Sequence, residues 1–435
     1  MTSPYRITYT AGGGERVLPF VVGVVGDFTG HGQRAADDHA RLIDIDVARF
    51  DTAMAALGPR LRLADDVDLT FANLDAFSVE HIRRTVPAHL SAVVAEHPDF
   101  VRMARAWRGL HDLVSIAATN PLVRIRLLDC SRQGLGHLLA TADDVEDTSL
   151  FKHLFLEPHD DPDGEPYALL VVDIDITQQD IALVGQLGEI ASRCFAPVLL
   201  PAAPSLLASL EAAPVGASDG AAFADWQALR ETHGANFTVV VDDSTAGPYA
   251  VAGRLTSAFA HNEWAASFFA PTTDRTGDLR GAALASHGVL SVFRHDNRAV
   301  MASKMTLRRP AARDMPAAMA FERERSTLPP VLGGSRIMHY LLMQYAAATR
   351  EAGPSSTIDL KTWHDRLEGR LNEWLRRYLV AGRPPGVPLH DGLVRFWQNR
   401  EQPDHWSIVA HLIPSWEGGG ELTASERFAT RVRRG

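Results

Sequence analysis

Cysteine is almost missing: Cys130 and Cys194 are the two present in 435 residues. Two cysteines build no disulfide framework, and no CxxC or Cys/His cluster marks structural zinc, so a reducing compartment is the simpler reading. Long apolar runs are missing too. None reaches bilayer length, and the N-terminus has no basic stretch followed by an apolar one. These absences predict a cytoplasmic chain with no direct membrane insertion. Positive charge is in deficit: 43 Lys and Arg stand against 53 Asp and Glu, a net charge of −10. A broadly acidic surface argues against a nucleic-acid grip. The exception is the tail, where Arg427, Arg431, Arg433 and Arg434 cluster and read as a solvated or frayed end.

Catalytic spacings are also lacking. There is no GxSxG, no HExxH and no GxxxxGK[ST]. Eighteen histidines allow accidental pairs. His39 beside Asp37 and Asp38 suggests metal ligands, but no spacing fixes them. His31, His261 and His287 sit near acids or turns without a pattern. His111 and His339 lie at the margins of apolar helix faces, where a packing histidine is expected. Asp173 and Asp175 follow a buried strand; without a phosphate loop, capping or turn roles suit them. The reading is no cofactor, no metal and no enzyme, with an α/β enzyme of unidentified substrate as the remaining alternative class.

What is present is ordinary in bulk: 46% hydrophobic and 22% charged residues over a length that allows two or three domains. The informative stretch is Arg102–Val114. Phe100, Met103, Ala104, Trp107, Leu110, His111 and Val114 recur three or four apart and share a helix face anchored by Trp107. Ahead of it, residues 5–10 alternate as an edge strand or arm. Val17–Val25 is a continuous apolar run suited to a doubly buried strand. It ends in Gly26-Asp27-Phe28-Thr29-Gly30, a weak phosphate-loop signal with no lysine near and a repelling Asp27. Strands follow at Val67–Phe71 and Val123–Cys130. A helix over Gln178–Cys194 leads to the strand Ala196–Ala202, and Phe237–Val241 is another buried strand. This alternation predicts βαβ units and a mixed α/β fold with a mixed or parallel sheet flanked by helices. Val289–Phe293 and Ala299–Ser303 read as a hairpin. Trp363, Leu367, Leu371, Trp374 and Tyr378 form a late helical stripe, and Leu393–Trp397 and Trp406–Leu412 read as two closing strands.

The wording of several stretches is more specific than their pattern. His97-Pro98-Asp99-Phe100 leading to Trp107-Arg108-Gly109-Leu110-His111, the run Gly164-Glu165-Pro166-Tyr167, and Ser335-Arg336-Ile337-Met338-His339-Tyr340 resemble the large sheath subunit of bacterial type VI secretion systems. The buried strand into Gly26-Asp27-Phe28-Thr29-Gly30, then Ile43–Asp51, Leu74–Phe77 and Val86-Pro87, resembles the small sheath subunit. The chain therefore resembles a shortened fusion, small-subunit-like at 1–90 (matching about 17–90) and large-subunit-like at 91–435 (matching about 92–415). It passes within a few residues from Val86-Pro87 into the Trp107 helix.

The resemblance implies a structural protomer of a contractile, phage-tail-like sheath. Its partners would be other sheath subunits, copies of itself, the hexameric inner-tube protein and the baseplate. No segment stands for the helix that the recycling AAA+ ATPase recognises, so that partner is not expected. Exchanged strands tie neighbours together in the family. The candidates here are Tyr5, Ile7 and Tyr9 on one strand and Trp406, Ile408 and Leu412 on another, read as exposed edges; for each the other reading is an edge satisfied within its own fold. The short length favours a second possibility, an adaptor, cap or baseplate-proximal component that does not polymerise.

Overall fold

The computed structural model describes residues 3, 5–30, 42–63, 67–140, 144–212, 221–242, 247–267, 279–295, 298–352, 359–379, 388–398, 406–415 and 426–432. Fifteen strands occur among them. They are β1 (Tyr9–Ala11), β2 (Gly14–Arg16), β3 (Phe20–Gly26), β4 (Ile43–Asp44), β5 (Arg60–Leu63), β6 (Val67–Thr70), β7 (Val123–Asp129) and β8 (Tyr167–Asp173). Then come β9 (Val198–Ala202), β10 (Thr238–Asp242), β11 (Val289–His295), β12 (Arg298–Met301), β13 (Leu389–Gln398), β14 (Trp406–Pro414) and β15 (Glu426–Val432).

Eight strands form one sheet in the order β12-β11-β10-β9-β8-β3-β7-β4. The run from β11 to β7 is parallel, and antiparallel β12 and β4 close the two edges. Every residue of β3, β8, β9 and β10 is buried, as continuous apolar strands between covering helices require. The helix Gly247–Asn262 lies against β3 and β7 through β12. The helix Pro98–Ala117 packs on that helix and on β7. The fold is the mixed α/β class that the alternation predicts.

β3 lies inside this sheet. Val22 is paired with Ile125 of β7 on one side and with Leu169 of β8 on the other. The strand from the small-subunit-like region is therefore hydrogen-bonded on both edges by strands from the large-subunit-like region. The sheet grows from β3 to β7 in one direction, then from β8 to β11 in the other.

A second sheet is built from the end of the chain, in the order β13-β14-β15, all antiparallel. Its inner residues Val394, Ile408, Ala410, Leu412 and Phe428 are buried. The long helix Leu328–Ala352 packs against β14 and β15, and the helix Leu360–Arg376 against β13.

Three expectations need correction. Trp406–Leu412 is no edge: β14 pairs with β13 on one side and with β15 on the other. The arginine tail is not frayed where it is described. Residues 426–432 form β15, with Phe428 and Thr430 turned inward and Arg427 and Arg431 outward, a period-2 pattern hidden by the charge of the outer residues. Arg433 and Arg434 lie outside the described residues. Finally, the chain does not pass straight from Pro87 into the Trp107 helix, because residues Ala88–Glu96 form a helix of their own.

Candidate functional site

The motif residues gather at the two ends of β3. At its carboxyl end, Gly26 opens the loop and the side chains around it are all committed. Asp129, from the end of β7, accepts hydrogen bonds from the Phe28 and Thr29 amides at 2.8 and 3.2 Å and from the Thr29 hydroxyl at 2.9 Å. Asp27 accepts from the Gly30 amide at 2.8 Å and pairs with Arg102 at 3.2 Å. Arg105 reaches both Asp173 and Asp175 at 3.1 Å, and the Tyr249 hydroxyl donates to Asp173 at 3.1 Å. Burial raises the pKa of Asp129 and of Asp173, opposed by the Thr29 hydroxyl in the first and by Arg105 in the second.

In open parallel sheets the crevice where sheet growth reverses is the usual ligand position. Here it is filled by arginine–carboxylate pairs from the chain itself. The loop amides that would cradle a phosphate are spent on carboxylates. The geometry therefore builds a locked joint between the Pro98–Ala117 helix and the sheet.

The same helix carries Trp107, Arg108 and Gly109. The Trp107 indole donates to the Phe28 carbonyl at 2.9 Å and meets Phe28 and Phe50 edge-on. Arg108 donates to the Phe77 carbonyl at 2.8 Å. A Cβ at Gly109 would sit 2.5 Å from the Tyr249 ring. The glycine is what lets two helices close to backbone–ring contact.

At the amino end of β3 lie the other two motifs. Glu165 pairs with Arg126 at 2.5 Å and with Arg124 at 3.6 Å, both from β7, and Arg126 also pairs with Asp44 at 3.1 Å and lies over the Tyr167 ring. These contacts bridge β7 and β8 across β3. Pro166 is buried beside them, and the backbone at Gly164 passes so close to the Pro158 carbonyl that no side chain fits there. Arg336 is buried and donates to the Pro19 carbonyl at 2.8 Å, to the Leu18 carbonyl and to the Tyr340 hydroxyl. Its guanidinium stacks over Phe259 and Tyr340, 5.1 and 5.0 Å from the ring centroids. Burial lowers its pKa. Tyr340 accepts the Leu18 amide at 3.0 Å. Ser335 is buried, and its hydroxyl has no partner among the described residues.

His339 is a packing histidine. Its Nε2 lies 3.0 Å from the Cys194 carbonyl, and burial drives its pKa down to about 3. His111 stands half-exposed and edge-on to Phe50. His287 is buried, and desolvation lowers its pKa. His31, His39, Asp37 and Asp38 lie outside the described residues. Among the described residues no three His, Cys, Asp or Glu side chains gather as metal ligands.

The N-terminal arm does not extend freely. Tyr5, Ile7 and Tyr9 are all buried. Tyr5 stacks on Trp264 at 5.9 Å, and Tyr9 meets Tyr340 edge-on at 5.8 Å. Thr8 is held on both sides: its amide donates to the Tyr378 hydroxyl at 3.0 Å, and its carbonyl accepts from the Trp374 indole at 2.8 Å. Of this arm only Tyr9–Ala11 is strand among the described residues; the Thr8 backbone groups are taken by Trp374 of the helix Leu360–Arg376 and by Tyr378 just beyond it. Of the second set, Trp406, Ile408 and Leu412 all point into the C-terminal core.

Sequence reading missed β15 and what it creates. Beside it, a cleft of about 350 Å³ opens between the helical stretch 149–160 and the helix Leu328–Ala352. The alternation in Arg427–Arg431 was the available signal. The cleft itself had none, since its walls come from three distant segments.

Two family descriptions match overlapping stretches of the chain. The type VI secretion system VipA description matches residues 5–105, and the VipB/EvpB tail sheath N-terminal domain matches residues 77–246. A curated relative, the type VI secretion system sheath protein TssC1 of Pseudomonas aeruginosa, is 32% identical over 137 residues; the match covers 30% of this chain and 28% of that protein. The chain thus spans under a third of that relative's length. A sheath tail protein from Desulfitobacterium hafniense aligns at 11% identity over 61% of this chain and 55% of its own, with a TM-score of 0.31, too low to carry an argument. Among the described residues no helix is long and apolar enough to cross a membrane. The small-subunit match ends within the Trp107 helix and the large-subunit match begins before it, so both halves of the expected pair meet on one polypeptide: the chain belongs to the type VI secretion sheath family.

Proposed function

We propose that the chain is a structural protomer of a contractile sheath, with its small-subunit-like part (1–90) and large-subunit-like part (91–435) joined in one body. It polymerises with copies of itself or with other sheath subunits around an inner tube, contacts the baseplate and acts in the cytoplasm. It performs no covalent chemistry; contraction draws on free energy stored in the extended assembly. The observation that carries this reading is the placement of β3 inside the sheet of the large-subunit-like part, in a chain that both sheath-subunit descriptions match. Such an assembly needs head-to-tail contacts that do not close on themselves, and two discrete packings of those contacts.

A second reading, a cap or adaptor that ends a sheath, is favoured by the arm. Tyr5, Ile7 and Tyr9 are buried against the chain's own helices instead of being offered to a neighbour. Negative-stain microscopy of the purified chain, alone and with a cognate inner-tube protein, separates the two. Tubes or stacked rings establish the protomer. A monodisperse particle under all conditions establishes the cap or adaptor.

A further inference from the structure

Charge in this acidic chain is not spread evenly around the central sheet. Residues 304–325 follow the edge strand β12 and hold Lys304, Arg308, Arg309, Arg313, Arg323 and Arg325 against Asp314, Glu322 and Glu324. Arg308, Arg313 and Arg325 crowd within 3.2 to 3.6 Å of the buried Glu322 carboxylate. Arg309 and Arg313 stay half exposed, at 49% and 52%, the first of them 3.9 Å from Glu231. The Leu307 amide donates to the Thr238 carbonyl, which sets this basic flank at the amino end of β10.

The other edge of the sheet carries the opposite sign. Residues 157–165 lead into β8 and hold Glu157, Asp160, Asp161, Asp163 and Glu165, with no lysine or arginine. All of these but Asp160 line a hollow of about 270 Å³, together with Asp44 of the edge strand β4, Arg126 and His153. The chain answers part of this charge itself. Arg16 pairs with Asp163, Arg126 with Glu165 and Asp44, Arg124 with Glu165, and His153 with Glu157. Asp163 is nevertheless 80% exposed. Asp160 and Asp161 are exposed, and neither has an ion pair among the described residues.

We propose that the basic flank 304–325 of one copy docks on the acidic turn 157–165 of a second copy, with Arg309 and Arg313 against Asp160 and Asp161. β12 and β4 are opposite edges of one sheet. Both flanks lie at the amino end of its parallel strands but on its two sides. Copies standing side by side in the same orientation therefore bring one flank onto the other, and opposite charge makes the second copy the occupant. The contact is heterologous and repeats from copy to copy. Exposed ion pairs each contribute little and are screened by salt. The contact is accordingly weak and reversible, and it chiefly sets partner choice and orientation. Its use in a polymer rests on the sheath-protomer reading; the contact itself does not.

The test uses full-length chains and sedimentation velocity over a concentration series. The wild type is expected to self-associate at about 50 mM NaCl and at least tenfold more weakly at about 0.5 M. Arg313→Glu and Asp161→Arg should each weaken association at low salt at least tenfold. Arg313 supports Glu322, and Asp161 accepts the Asp163 amide, so Arg309→Glu and Asp160→Arg serve as second variants in case the first two fail to fold. A chain carrying Arg313→Glu and Asp161→Arg together reverses both flanks and should recover wild-type association. A wild type monomeric at low salt, association indifferent to salt, single variants that associate like the wild type, or a combined variant no better than the single ones each overturn the proposal. Microscopy separates it from the sheath reading. Tubes from both single variants retain the sheath and remove this contact. Salt-sensitive association with charge-reversal rescue but without wild-type tubes retains the contact and removes the sheath.

Discussion

The two sheets of this molecule are finished to different degrees. The eight-stranded sheet is buried through its central strands, and the crevice at its carboxyl end is closed by Arg102, Arg105, Asp27, Asp129 and Asp173. The three-stranded sheet keeps one face wet, leaves β13 and β15 as edges, exposes Trp397 and stands beside a cleft. Both are apolar where they meet helices, so hydrophobic burial does not distinguish them. Pairing separates them only in part: the carboxylates of the first crevice are met by arginines, amides and a hydroxyl of the chain, whereas Ser291 Oγ on β11 and, beside the second sheet, His159 Nε2 have no partner among the described residues.

The comparison is broken most severely at its centre. Trp107→Ala deletes a fully buried side chain and its bond to Phe28, and should cost about 3–5 kcal/mol in urea unfolding. Trp397→Ala should leave that transition within about 0.5 kcal/mol, so equal losses would erase the distinction between the two tryptophans. Next in size is Gly334→Ala. The added Cβ would overlap the Phe428 ring and should cost about 1–3 kcal/mol. Hydrogen exchange should rise in β15 and leave β3 and β8 protected; uniform exchange would show that the two sheets unfold as one.

Acid should act through buried imidazoles. His159 and His339 have pKa values lowered by burial to about 4 and about 3 from 6.5. Both are neutral in the fold, while the unfolded chain takes up protons below pH 6.5. Their contribution is therefore present above that pH and lost as it falls toward 4. The urea midpoint should be flat from pH 7 to 8 and fall between pH 6.5 and 4, and His339→Gln should flatten the fall. The smallest effect is expected for Arg395→Ala, which breaks an exposed pair with Glu368: within about 0.5 kcal/mol by the same urea measurement.

Much of the central sheet was legible from its residues. Apolar runs such as Val21–Val25 declare buried strands, and the spacing around Trp107 declares its helix. The motifs were legible as wording, but their partners were not. Nothing local in Gly-Glu-Pro-Tyr points to Arg126, and nothing around Ser335–Tyr340 points to the Leu18 and Pro19 carbonyls, because those pairings span 39 residues in one case and over 300 in the other. The edge status of Trp406–Leu412 failed for a related reason. It depended on β15, whose alternation was masked by arginines that read as a tail.

β3 is held between β7 and β8, and this settles a matter of supply. A strand supplied by a second polypeptide would have to be made in matched amount and find its sheet before either could be used. With β3, β7 and β8 on the same polypeptide, the ratio is set at translation and cannot drift with expression. No body accumulates with an unfilled slot beside β7 and β8.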